Sequence, residues 1–298
     1  MRRWVGWLWV GSVLGLFPSA TGATALLVST SAACLGSNCE YVPFVLGPGA
    51  QTSIGREWGT DIPPNTWRFQ AEGAMRIDYD RFSASAGAYG TANLEFVQVG
   101  GEGITSTGRG QGTIYDGLTV ASAESGTLHM VWRITGNTSA SWTTNDVNQT
   151  NPLSVVRLGF QCVASVGSTP LDCADTQLVW SDNVAVDELV TVDVPLVFGV
   201  KTDYQLTILL DANTGLGLTL SPATLTFDGF AVGSFGSTGV LVDAQLLDAA
   251  GAPLDWSLLT TDSGFRYDLA SVPEPAPVGL LLAALAGVGA LVRRDRLS

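Results

Sequence analysis

In two stretches of this chain every second side chain is large and apolar, and that period decides what the body can fold into. Leu128, Met130, Trp132 and Ile134 alternate with His129, Val131 and Arg133, and Tyr204, Leu206, Ile208 and Leu210 alternate with Gln205, Thr207 and Leu209. Successive side chains of a strand point to opposite faces, so a period of two marks a strand with one face in a core. Further strands are expected near Trp67 to Glu72, Met75 to Tyr79, Leu94 to Val99, Thr113 to Val120, Val155 to Val163, Gln177 to Trp180, Glu188 to Phe198 and Val240 to Leu247. Turns rich in Gly, Asn, Asp and Pro separate them. The 35 glycines, with many Ser and Thr and little Lys or Glu, disfavour long surface helices. A dozen or so short antiparallel strands predict an all-β body, an antiparallel β-sandwich or jelly roll in one domain.

Charge narrows the function classes. The sequence holds 27 acidic against 14 basic side chains and a net charge of -13. Phosphate contacts need clustered Lys and Arg, which occur only at the termini, so nucleic acid is not an expected partner. The acidity is uneven: 14 acids and two bases (Lys201, Arg266) fall between Asp172 and Asp268, against 11 acids and seven bases in residues 24–171. A solvated, colloidally stable surface accounts for this skew, with divalent-cation binding as the sharper alternative.

The ends carry export signals. Met1-Arg2-Arg3, the uncharged run Trp4 to Phe17, and Ala20, Ala23 and Ala25 have the order of a secretory signal peptide. Cleavage after Ala23 or Ala25 fits the small-residue rule, and residues 1–23 are taken as the signal helix. At the other end, Val272-Pro273-Glu274-Pro275 precedes an apolar run from Val278 to Val292 and the basic cluster Arg293, Arg294 and Arg296. Fifteen helical residues rise about 22 Å against a hydrocarbon core of about 30 Å, so the expected transmembrane helix holds the chain only modestly. Arginines after the run keep the tail cytoplasmic and the body outside. The two prolines hold an extended neck that presents Glu274 near the membrane surface.

This ordered tail, Val272 to Ser298, resembles the PEP-CTERM sorting signal, with Asp295 as a minor departure within the arginine cluster. The resemblance implies a multi-pass membrane processing enzyme, an exosortase, as partner. It also implies export by a Gram-negative bacterium that makes extracellular polysaccharide, with transient inner-membrane anchorage followed by release to the cell surface or matrix. The organisation expected is a signal peptide (1–23), a β-sandwich ectodomain (24–270) and a sorting signal (271–298). Small-residue stretches such as Ser83 to Tyr89 and Gly112 to Asp116 resemble the ectodomains found ahead of such tails, which supports a sandwich and little more.

All four cysteines lie in the body. An even number in an exported chain implies disulfides, and sequence proximity favours Cys34 with Cys39 and Cys162 with Cys173 among three connectivities. Neither pair has the C-x2-C spacing usual in zinc sites.

Chemistry is sparse. His129 is the only histidine and reads as the outward face of a strand, and no G-x-S-x-G elbow is present. Asp78 and Asp80 share a strand face and are the carboxylate pair that glycoside hydrolysis would need, although Arg76 and Arg81 make a solvated ladder the plainer reading. Gly108 to Gly112 has no helix after it to complete a phosphate cradle, and turn glycine explains it better. Asp211-Ala212-Asn213-Thr214-Gly215 begins like an EF-hand loop but reaches Pro222 where a bidentate Glu is needed. A hairpin turn is the expectation there, with Asp211 and Asn213 as candidate calcium ligands and no cofactor called for. Among six body tryptophans, Trp132 and Trp180 read as core, while Trp58 and Trp142, set among polar residues and glycine, are the candidate glycan platforms. The sequence is read as a non-catalytic, structural or adhesive exported protein that binds extracellular polysaccharide, with a secreted polysaccharide-active enzyme as the alternative.

Overall fold

The computed structural model describes residues 25–35, 38–46, 51–60, 66–94, 104–122, 125–145, 150–218 and 224–268. The expected signal helix and the sorting tail lie outside them. The strands are β1 (Ala25–Leu35), β2 (Asn38–Leu46), β3 (Gln51–Thr60), β4 (Thr66–Ile77) and β5 (Arg81–Leu94). They continue as β6 (Ile104–Val120), β7 (Ser125–Thr144), β8 (Thr150–Val166), β9 (Thr169–Leu171) and β10 (Thr176–Trp180). The last are β11 (Val184–Val197), β12 (Lys201–Leu218), β13 (Leu225–Asp248) and β14 (Leu259–Thr261). A 3-10 turn, Trp256–Leu258, is the only helical element among the described residues.

Two antiparallel sheets pack face to face, as the alternation requires. One has the order β10-β8-β12-β6-β1-β2, with β9 added to β8 and β14 to β6; the other has the order β11-β7-β13-β5-β4-β3. From β5 to β8, and again from β10 to β13, each connection crosses from one sheet to the other. Long-range pairing of this kind buries one face of each strand in a shared core.

The main core gathers Phe82, Met130, Trp132, Phe160, Leu206 and Ile208 with their neighbours, and a smaller cluster of Phe69, Leu94, Leu216, Leu225 and Phe227 lies apart from it. Trp132 and Trp180 are both buried, as expected. Trp132 sits between Phe82 and Phe160, with ring centroids 6.0 and 6.2 Å away.

Several strands are longer than expected. The two segments expected on either side of Gly73 are one strand, β4, and β13 runs for 24 residues. Gly108 to Gly112 lies in the middle of β6, which corrects the turn expectation. A Cβ on Gly108 would stand 2.1 Å from the Glu72 carbonyl oxygen and 2.3 Å from that of Gly87. Glycine is required there because the sheets approach backbone to backbone. Ser83 to Tyr89 lies in β5 with Ala84, Ala86 and Ala88 buried.

Candidate functional site

Among the described residues, a strap formed by residues 249–268 follows β13 and carries a built surface feature. Asp248 turns the chain: its Oδ1 accepts from the amides of Ala250 (2.9 Å) and Ala252 (2.8 Å), and Gly251 takes the left-handed φ of 79° that the turn requires. Asp255 then caps the 3-10 turn by accepting from the Ser257 amide at 2.8 Å. β14 crosses to the other sheet and pairs with the end of β6, Leu259 opposite Val120 and Thr261 opposite Leu118.

A buried carboxylate fixes the rest of the strap. Asp116 points inward from β6, and its Oδ1 accepts from the amides of Gly117 (2.9 Å) and Ser263 (3.0 Å). Its Oδ2 accepts from the hydroxyls of Ser263 (2.6 Å) and Tyr267 (3.3 Å). The Tyr267 hydroxyl also meets that of Tyr204, so the three buried groups form one hydrogen-bonded chain. Burial raises the Asp116 carboxyl above its ordinary range, and the hydrogen bonds to Ser263, Gly117 and Tyr267 oppose it only in part. Burial likewise pushes both tyrosines well up. Phe265 completes the anchor, stacked on Tyr79 at 5.3 Å and edge-on to Tyr267 at 4.8 Å.

Held this way, the strap lines a half-open groove of about 480 Å³ whose walls include Trp256, Asp255, Thr260, Arg266 and Asp268. The Trp256 ring packs partly on the core and partly lines the cavity. Arg266 is 79% exposed, and its Nη2 stands 4.0 Å from Asp268 Oδ2. The Ser257 amide holds the Asp255 carboxyl below its ordinary range. The wall combines aromatic residues with a few polar and charged ones. Trp256 was not singled out from sequence, because nothing around it signals a cavity.

The candidates drawn from the sequence are dispersed. Trp142 lies on β7 beyond the reach of β11, whose pairing stops at Thr138, and is 39% exposed at that open edge. Trp58 belongs to β3, and its side chain lies outside the described residues. Asp78 and Asp80 are not on a strand face: they form the β4–β5 turn, closed by the Asp78 amide donating to the Arg81 carbonyl at 2.7 Å. Asp80 is paired with Arg81 through two hydrogen bonds, of 2.9 and 2.6 Å. The chain turns here because Asp favours turns and the apolar alternation of β4 ends at Ile77.

Asp211 and Asn213 are likewise not in a turn but within β12, where Asp211 meets Arg109 and Asn213 Oδ1 accepts from the Thr107 hydroxyl at 2.7 Å. Both are thus engaged with β6, and no group of three or more His, Cys, Asp or Glu side chains poised for a metal occurs among the described residues. His129 does face outward, and its Nδ1 lies 2.7 Å from Asp193 in the neighbouring strand. Cys162 and Cys173 are joined as a disulfide, while Cys34 and Cys39 stand opposite each other in the register of the β1–β2 hairpin. The motif Val272, Pro273, Glu274 and Pro275 and the basic residues Arg293, Arg294 and Arg296 lie outside the described residues. Among the described residues no helix is long and apolar enough to cross a membrane.

Fold and site together define a disulfide-bearing antiparallel β-sandwich that carries an aromatic-walled groove. Comparison with family models, curated proteins and solved structures gives no match.

Proposed function

We propose that this is an exported surface or extracellular-matrix protein that binds glycan through the strap groove and is delivered by a PEP-CTERM-type tail. The observation that carries the binding role is the groove itself, where an apolar ring and charged side chains line a cavity of sugar-fitting size. Glycan rings present an apolar C–H face and a polar edge, and that wall composition matches both. Export is supported by the signal-like N-terminus and by the Cys162–Cys173 disulfide, which suits an oxidising compartment. Anchorage is transient in this reading: an exosortase-type enzyme processes the tail at the membrane, and the body passes to the surface or the polysaccharide matrix.

A glycoside hydrolase is the second reading, because Asp255 and Asp268 put two carboxylates on one groove. A carboxyl held low by an amide stays charged, so in that reading Asp255 would serve as nucleophile or base and Asp268 as the acid. Two experiments decide. Glycan-array binding by the purified chain tests the first reading, and release of reducing ends from polysaccharide, abolished by Asp255→Asn, would replace it with the second. Glu274→Ala in the native host tests delivery: an unprocessed, membrane-retained chain is expected, and unchanged processing would reduce the tail to a plain anchor.

A further inference from the structure

We infer that the strap groove selects neutral, hydroxyl-rich sugar chains and discriminates against uronate-bearing or sulfated ones. This rests on the glycan-binding reading and names the class of ligand for that same groove.

Three observations carry it. The groove wall carries two carboxylates, Asp255 and Asp268, and one guanidinium, Arg266. That guanidinium is already shared, with Asp268 4.0 Å away, so an incoming carboxylate would compete with a resident one. The other base between Asp172 and Asp268, Lys201, is likewise engaged, by Asp203 (3.1 Å) and Asp262 (2.5 Å). Two like charges about 7 Å apart repel by about 0.6 kcal/mol even in bulk water, and more beside a protein wall. A uronate chain repeats that charge at each residue.

Carboxylates are, by contrast, good partners for a neutral sugar. They accept hydrogen bonds from hydroxyls without any charge having to be neutralised. Trp256 supplies the apolar wall for the C–H face of the ring, and the Thr260 hydroxyl on the exposed rim of β14, which donates to the Thr119 carbonyl at 3.1 Å, keeps only its acceptor side for a sugar hydroxyl. A neutral pyranose therefore finds complementary groups where an anionic one finds repulsion.

The test is titration calorimetry of the full chain in detergent micelles at low and at physiological salt. The probes are cellohexaose, laminarihexaose and mannohexaose as neutral ligands, and hexagalacturonate and an alginate oligomer as anionic ones. At least one neutral hexasaccharide is expected to bind tenfold or more tighter than either anionic one at low salt, with the gap narrowing as salt is added. Trp256→Ala should weaken that binding at least tenfold. Because Trp256 also packs on the core, Thr260→Trp is the second variant; it fills the groove from its exposed rim and should block binding with the fold intact. Leu189→Ser, on the exposed face of β11 and not part of the groove wall, should leave neutral binding unchanged. Tighter binding of hexagalacturonate, lost in Arg266→Gln, would overturn the selectivity and leave glycan binding standing. Neutral binding that survives Thr260→Trp would remove the groove as its site, and no binding of any probe would overturn the parent reading as well.

Discussion

Arg109 and Asp211 meet across β6 and β12 in a two-pronged ion pair, Nε to Oδ1 at 2.5 Å and Nη2 to Oδ2 at 3.1 Å, on the outer face of the sheet. Asp211 is only 8% exposed there, and Arg157 stands in register on its other side in β8. A planar fork on a carboxylate in a partly dry setting contributes more than a surface pair and less than a fully buried one. Asp211→Asn is expected to destabilise the protein by about 2 kcal/mol in urea unfolding, and a double-mutant cycle with Arg109→Met should return most of that as coupling. Because Asp211 is committed to Arg109, millimolar calcium should leave Tm unchanged; a calcium-dependent rise abolished by Asp211→Asn would restore the metal-ligand role.

Asp116 makes the stability of the strap depend on pH. Its folded carboxyl is raised above the ordinary value of 3.8, chiefly by burial. The folded state therefore holds a proton more tightly than the unfolded chain does. Stability from this group grows as pH falls through the folded value, is complete below the unfolded one, and declines as pH rises between them. Asp116→Asn is expected to flatten that part of the urea-stability profile, read between pH 4 and 7. Asp116→Ala, which strands the Ser263 amide and hydroxyl, should lose about 2 to 3 kcal/mol at every pH. A profile unchanged in the Asn variant would mean that another group sets the slope.

The Cys162–Cys173 bridge, with a sequence separation of 11, closes a loop that carries β9 and leads into β10 at the sheet edge. Chain entropy for such a loop corresponds to about 3 kcal/mol. Replacing both cysteines with serine should lower stability by about that amount, and a reducing agent should lower Tm of the parent more than that of the double variant, which keeps Cys34 and Cys39.

Legibility from sequence followed side-chain contrast. β7 and β12 were readable at Leu128 to Ile134 and Tyr204 to Leu210 because bulky apolar residues alternate there with contacts to solvent or to neighbouring strands. The first half of β6 was not, since Gly108, Gly110 and Gly112 show no hydropathic period and resemble a turn; only the opposing backbones of Glu72 and Gly87 explain them. Asp211 was misread for a related reason: a D-x-N-x-G run looks like a loop until Arg109 is found beside it. The groove was invisible because its walls depend on Asp116 holding Ser263, a contact spanning 147 residues. Trp256 is therefore placed by tertiary structure, with no local signal to mark it.

Trp132 offers a test of how the core is balanced. Its ring is fully buried against Phe82 and Phe160, yet its indole Nε1–H is buried with no acceptor. Truncation to alanine removes the ring and leaves a cavity, a loss of about 3 to 5 kcal/mol. Phenylalanine also loses volume but removes the unsatisfied donor, whose burial costs about 1 to 3 kcal/mol. The two effects oppose, so Trp132→Phe is expected to fall within about 1 kcal/mol of the parent in urea unfolding. A loss as large as that of Trp132→Ala would show that the orphaned N–H carries no penalty, as it would if an ordered water in the core accepts its hydrogen bond.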